Sequence, residues 1–279
     1  MASTTESAVP ELSAAPRYPW RTFAALVAAG TLTGPLVLPY ARALEAIAPG
    51  SLPPMSNAAL IGAALLRNLV FLVPATGLGL LLARPLGLGA PYLEHWLDGA
   101  PAPSAPARSI VWPAIVWAIL TALIAFGVDA FFVRRLGITF PAPEIHARIA
   151  VAWWQSAPAC LWAPWGEEIF DRLFLLSLVA WVGTKLFRVR GPGRVRTTVL
   201  WTAIVLTALF FGWYHISNEQ LFATRVPPLV QLRTVLIILP VGLAFGWLYV
   251  RRGLECAILS HFVIDVIVHV VRPLVEGRF

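Results

Sequence analysis

Eight ionisable side chains in the C-terminal half of the sequence are spaced for chemistry: Glu167, Glu168, Asp171 and Arg172, then His215, then His261, Asp265 and His269. Carboxylates and imidazoles exchange protons with a bound water. One carboxylate, two imidazoles and a second carboxyl are enough to activate that water and to steady the oxyanion of a tetrahedral intermediate. Helical spacing sorts the group further. Glu168 and Arg172 are four apart and pair across one turn; Glu167 is rotated about 100° from Glu168 and is left to face a cavity. His261, Asp265 and His269 recur every four residues, which predicts one shared helix face. Each of these charges lies in or beside an apolar run, where an Asp, Lys or Arg costs about 2.5 to 3.5 kcal/mol at a helix centre. A polar cavity between helices is the economical explanation.

The elements that must position these residues are membrane helices. The sequence has 279 residues, of which 58% are hydrophobic and only 13% charged, with a mean hydropathy of +0.76. Soluble domains carry roughly 25% charged residues. A hydrocarbon core about 30 Å thick takes ~20 apolar residues as a helix, and the apolar runs here are continuous, not the ~10-residue alternating segments of a barrel. The expected spans are Thr22 to Tyr40, Ala58 to Ala83, Ile110 to Val133, one or two within 149–187, Thr197 to Tyr214, Leu229 to Val250 and Leu254 to Val271. The fold class is therefore all-α, a polytopic membrane bundle of seven or eight transmembrane helices.

Residues 1–19 read as a disordered polar tail and 20–279 as one transmembrane domain. Pro101, Pro103 and Pro106 argue against regular helix in the linker 84–108. Pro158 and Pro164 interrupt the 149–187 stretch, so a new helix begins near Trp165. The net charge of +7 falls between apolar runs rather than on one basic face, which excludes a nucleic-acid partner. Lys185, Arg188, Arg190, Arg194 and Arg196 mark the 185–196 loop as cytoplasmic, and the Arg251-Arg252 turn, two spans on, agrees. Cys160 and Cys256 lie in apolar segments and read as buried free thiols. On this topology straight helices bring Glu167 and His215 ~27 Å from the basic loop, yet leave His261 only a turn or two inside its span. Tilt, a re-entrant piece near Pro164, or a last helix that starts deeper is needed to bring them together.

Three motifs occur in order: Glu167-Glu168-Ile169-Phe170-Asp171-Arg172 has the form EExxxR, Phe211 to His215 has FxxxH, and His261 to Asp265 has HxxxD/N. Together they resemble the CPBP family, the CAAX proteases and bacteriocin-processing proteins also called Abi, whose best-known members are the type II CAAX prenyl endopeptidases. The segment from Gly242 to Val266 is similar to the family's glycine-rich helix pair, and the resemblance covers about 147–271. It implies an intramembrane endopeptidase that hydrolyses a peptide bond of a membrane-associated protein or peptide with a glutamate-activated water. Glu167 would be the general base, His215 would help hold the water, and His261 with Asp265 would stabilise the oxyanion. Glu168, Arg172 and Phe211 would be supporting residues. Many members have Asn where this sequence has Asp265, so Asp265 must be protonated, pair with His261, or bind a cation. Metal dependence stays open: no cofactor is required, or a divalent cation such as zinc sits on Glu167, His215, His261 and Asp265.

Other polar residues have plainer readings. His269 reads as interfacial, Arg67-Asn68 as pairing with Asp129 or snorkelling, and Glu144, His146, His95 and Asp98 as solvated loop charges. Most of the twelve Trp residues read as interface anchors, with Trp165 and Trp213 lining the cavity. Two other functions fit the same polar cavity: a transporter or ion path, and a non-catalytic membrane immunity or scaffold protein. Short loops lean towards a prokaryotic plasma membrane.

Overall fold

The computed structural model describes residues 18–277 apart from 48, 51, 139–150, 190, 192 and 220–225. Most of the expected tail, together with Glu144, His146 and Arg190, lies outside these residues. The described residues form helices and connecting turns. The first nine elements that matter are α1 (Trp20–Leu32), α2 (Leu38–Ile47), α3 (Asn57–Ala83), α4 (Pro91–Asp98), α5 (Val111–Arg134), α6 (Ala163–Glu168, running on through a π-helical stretch Ile169–Leu176 into Ser177–Leu186), α7 (Arg194–Tyr214), α8 (Pro228–Arg252) and α9 (Leu254–Val266, continuing through a π-helical turn Ile267–Val271).

Among the described residues six helices are long and apolar enough to cross a bilayer: Trp20–Ile47, Asn57–Leu86, Ala107–Arg134, Arg194–Tyr214, Pro228–Arg252 and Leu254–Val275. The expected seven or eight is not reached on that measure. The 149–187 stretch splits into a short helix at Trp153–Ser156 and the continuous helix α6, whose first turns hold two glutamates, an aspartate and an arginine. Large apolar side chains such as Leu66, Leu81, Leu123 and Val275 point outward, as a bilayer-facing surface requires.

The Pro-rich linker contains a regular helix after all. α4 begins on Pro91, whose fixed φ suits a first helical position, and ends before Pro101. Glu255 at the start of α9 accepts hydrogen bonds from the Tyr92 and Leu93 amides, supplying partners to the otherwise open N-terminus of α4. Asp98, at the other end, accepts from the Arg21 and Thr22 amides and the Thr22 hydroxyl, and so caps α1. His95 bonds the Ala100 carbonyl at 2.7 Å. Neither Asp98 nor His95 is merely a solvated charge.

Two close approaches set the frame around α6. A Cβ on Gly79 of α3 would stand 2.9 Å from the backbone of Leu173, so only glycine lets α3 lie against the π-helical stretch. Where α1 ends, Asn68 donates to the Gly30 carbonyl, supporting the break before Pro35. The expected Arg67–Asp129 pair is not formed. Asp129 instead pairs with Arg233 of α8 and with Arg272, because α5 packs against α8 and α9, while the Arg67 guanidinium lies over the Trp162 ring.

The packing also narrows the depth difference. The Leu176 side chain lies 3.4 Å from a Cβ placed on Gly246, and the Tyr249 hydroxyl bonds Ser177. From that level α8 runs about six residues to Arg252, whereas α6 runs about ten to Leu186, so the turn at Gly253 is recessed by ~6 Å. The φ of Gly253 is +93°, a conformation open to glycine, and the Leu254 amide is tied to the Gly89 carbonyl. The last helix thus starts deeper than its neighbours.

Candidate active site

Where α6, α7, α8 and α9 meet, the residues sorted by the motifs come together, though not all on equal terms. Glu168, Asp171 and Arg172 are completely buried and His261 nearly so, while Glu167 keeps 26% of its side chain exposed. The 100° between consecutive helical positions produces that division: one glutamate faces the packed interior and its neighbour faces open space. The π-helical stretch begins immediately after Glu168. Such widened turns recur at functional sites because they re-aim side chains.

His261 is the hub. Its Nδ1 lies 2.8 Å from Glu168 Oε1, so the ring donates Nδ1–H to that carboxylate. Its Nε2 is turned to Glu167 Oε2 at 3.9 Å and to Asp265 Oδ2 at 3.6 Å. The ring is fixed in plane by Phe245, stacked at 4.9 Å between centroids, and by the edge of Phe211. Asp265 is one helical turn from His261, with its Oδ2 3.6 Å from Nε2.

Arg172 holds the buried charges together. Its Nε is 3.3 Å from Glu168 Oε2 and its NH1 3.8 Å from Asp171, and its guanidinium lies between the rings of Phe211 and Phe245 at 4.7 and 5.6 Å. A buried cation flanked by aromatic faces and two carboxylates offsets part of its desolvation cost. Asp171 thereby joins a cluster in which it had no assigned part.

His215 stands one ring away. Its Nδ1 donates to the Phe211 carbonyl at 2.7 Å, which leaves Nε2 as the acceptor. Among the described residues it makes no ion pair or hydrogen bond with Glu167, His261 or Asp265, and Phe211 lies between its ring and that of His261. Tyr214, beside it, has its hydroxyl near the Glu167 carboxylate. Neither Tyr214 nor Phe245 was singled out from sequence. Tyr214 could have been found as the neighbour of a motif histidine, but Phe245 sits on another helix and carried no signal.

His269 does not share the face of His261 and Asp265. The π-helical turn Ile267–Val271 adds a residue to the turn, which slips the register, and His269 is exposed. Trp165 lines an apolar cavity of ≈ 280 Å³ with Cys160, Leu161, Pro164, Ile258 and Phe262, directly before Glu167. Trp213 points outward and lines nothing there. Cys160 and Cys256 are buried free thiols.

Among the described residues no group of three His, Cys, Asp or Glu side chains is placed closely enough to hold a metal ion.

These features define a polytopic α-helical membrane protein with a buried carboxylate–arginine–histidine cluster beside an open carboxylate. Residues 149–267 match the family model described as Type II CAAX prenyl endopeptidase Rce1-like. That segment is similar to a protease family, and the similarity supports a peptide hydrolase of the intramembrane endopeptidase kind acting on membrane-associated substrates. No curated protein and no solved structure matches the chain.

Proposed function

We propose that the protein is a CAAX-type intramembrane endopeptidase in which Glu167 activates the attacking water. The observation that carries this reading is the 3.9 Å separation between Glu167 Oε2 and His261 Nε2. A water ~2.8 Å from both atoms would subtend roughly 90° between them, close to its tetrahedral preference.

In this mechanism Glu167 takes a proton from that water, and the oxygen adds to the scissile carbonyl. His261, as an imidazolium anchored on Glu168, presents Nε2–H to the oxyanion and is aligned by Asp265. The proton on Glu167 then passes to the departing amine. His215, with Nε2 free as an acceptor on the far side of Phe211 from His261, orients the substrate. The 185–196 loop is on the cytoplasmic face by its charge. The substrate is a membrane-borne protein or peptide, and a prenylated CAAX tail is the first to try.

The test is hydrolysis of a prenylated CAAX-terminated reporter peptide in proteoliposomes. Wild-type protein is expected to release the terminal tripeptide and Glu167→Gln to release it at least about 10²-fold more slowly. Equal cleavage by both would overturn the assignment.

A further inference from the structure

A polar cavity lies away from this cluster, between the α8–α9 turn and the linker that carries α4. Its volume is ≈ 370 Å³, and its lining includes Gly87, Glu94, Ser104, Arg251, Arg252 and Gly253. Among the described residues neither Arg251 nor Arg252 has an ion-pair or hydrogen-bond partner. Arg196 adds to the local charge by donating to the Leu86 carbonyl next to the lining. The one carboxylate in the wall is occupied: Glu94 accepts from the Ala90 amide at 2.9 Å and packs onto Gly89, with burial pushing its carboxyl up from its ordinary range.

The position of the cavity in the bilayer points in the same direction. Trp96 within the linker and Trp112 just after it, at the start of α5, are 63% and 72% exposed. Exposed indoles at the ends of membrane helices mark headgroup depth. A cavity with two unpaired guanidiniums at that depth meets the phosphates of lipids, and arginine's planar fork matches phosphate oxygens two at a time. Basic pockets between membrane helices are where anionic headgroups lodge.

We propose that this cavity binds a phosphate group through Arg251 and Arg252, with the headgroup of an anionic phospholipid as its source. The inference does not depend on what Glu167 does. Because the Leu254 amide is tied to Gly89 and Glu255 to the amides of Tyr92 and Leu93, an occupant braces the turn that starts the His261 helix.

The experiment is thermal unfolding of the full-length protein in detergent, with short-chain phosphatidylglycerol, short-chain phosphatidylcholine or inorganic phosphate added at equal concentrations. Phosphatidylglycerol is expected to raise the midpoint by several degrees, phosphatidylcholine and phosphate by much less. The response should vanish in Arg251→Gln/Arg252→Gln, persist in Arg251→Lys/Arg252→Lys in part, and be unchanged in Arg134→Gln at the far end of α5. An equal rise with inorganic phosphate, lost in the same double variant, would keep the phosphate site but reject the lipid as its source. An equal response of the double Gln variant and the wild type would overturn the site. Should that variant not fold, the comparison of phosphatidylglycerol with phosphatidylcholine on the wild type decides: an equal response to both overturns the proposal.

Discussion

His261 Nδ1 meets Glu168 Oε1 at 2.8 Å across 93 positions of sequence. Spacing alone assigns Glu168 to Arg172, and it does pair with Arg172, but its other oxygen anchors the imidazole. One buried carboxylate therefore couples the charge balance of α6 to the orientation of the ring on α9. Glu167, the adjacent residue, meets the opposite nitrogen of the same ring.

Glu167→Gln should remove a proton acceptor without removing volume. Hydrolysis of a membrane-borne peptide substrate is expected to fall by about 10²- to 10⁴-fold, while insertion and elution from detergent chromatography stay as in the wild type.

Asp265→Asn should be mild. The amide fits the same space 3.6 Å from His261 Nε2 and can donate to an oxyanion, so kcat/KM is expected within about tenfold of wild type, with Asp265→Ala much lower. An asparagine variant as inactive as the alanine variant would show that the charge itself is required.

Breaking the buried cluster should cost stability before it costs chemistry. Arg172→Met strands Glu168 and Asp171 in a site with no solvent, at about 3 to 5 kcal/mol. Adding Glu168→Gln to that variant should restore part of the loss. A double-mutant cycle read by thermal unfolding checks this, and strict additivity of the two substitutions would contradict the pairing.

Gly79→Ala tests the approach of α3 to the π-helical stretch. The added methyl would stand 2.9 Å from Leu173 backbone atoms, which cannot rotate away, so a loss of about 1 to 3 kcal/mol is expected. Gly62→Ala, with nothing within 4 Å, is the control and should be neutral.

The Asp98 cap should make stability depend on pH. Burial pulls its carboxyl up, but the Thr22 hydroxyl, the Thr22 and Arg21 amides and the Arg21 charge outweigh this and hold it below its ordinary range. A group whose folded value is depressed stabilises fully above its unfolded value, about 4, and loses that contribution as pH falls through the folded one. Asp98→Asn should lower stability by about 1 kcal/mol at neutral pH and flatten the acid side of the stability profile. An unchanged profile would rule the cap out as its source.

Much of this molecule is legible along the chain because the bilayer permits so few solutions. Apolar runs longer than the hydrocarbon core must be helices, and charged residues inside them must have partners; hence the bundle, the separation of Glu167 from Glu168 and the Glu168–Arg172 pair can be read from periodicity. Those are local consequences of 3.6 residues per turn. Periodicity fails where the turn is not α-helical: the π-helical segment at Ile267–Val271 carries His269 off the face of His261, and nothing in the residue types announces it. Long-range pairing is equally silent in one sequence. That Asp129 meets Arg233 rather than Arg67, that Phe245 stacks on His261, that α4 forms in a proline-rich linker because Glu255 and Asp98 are there, and that the recessed Gly253 turn brings His261 closer to the level of the glutamates, all depend on which helices lie side by side. Packing decides those contacts by shape and by the need to satisfy each buried polar group, and only the tertiary structure holds that information.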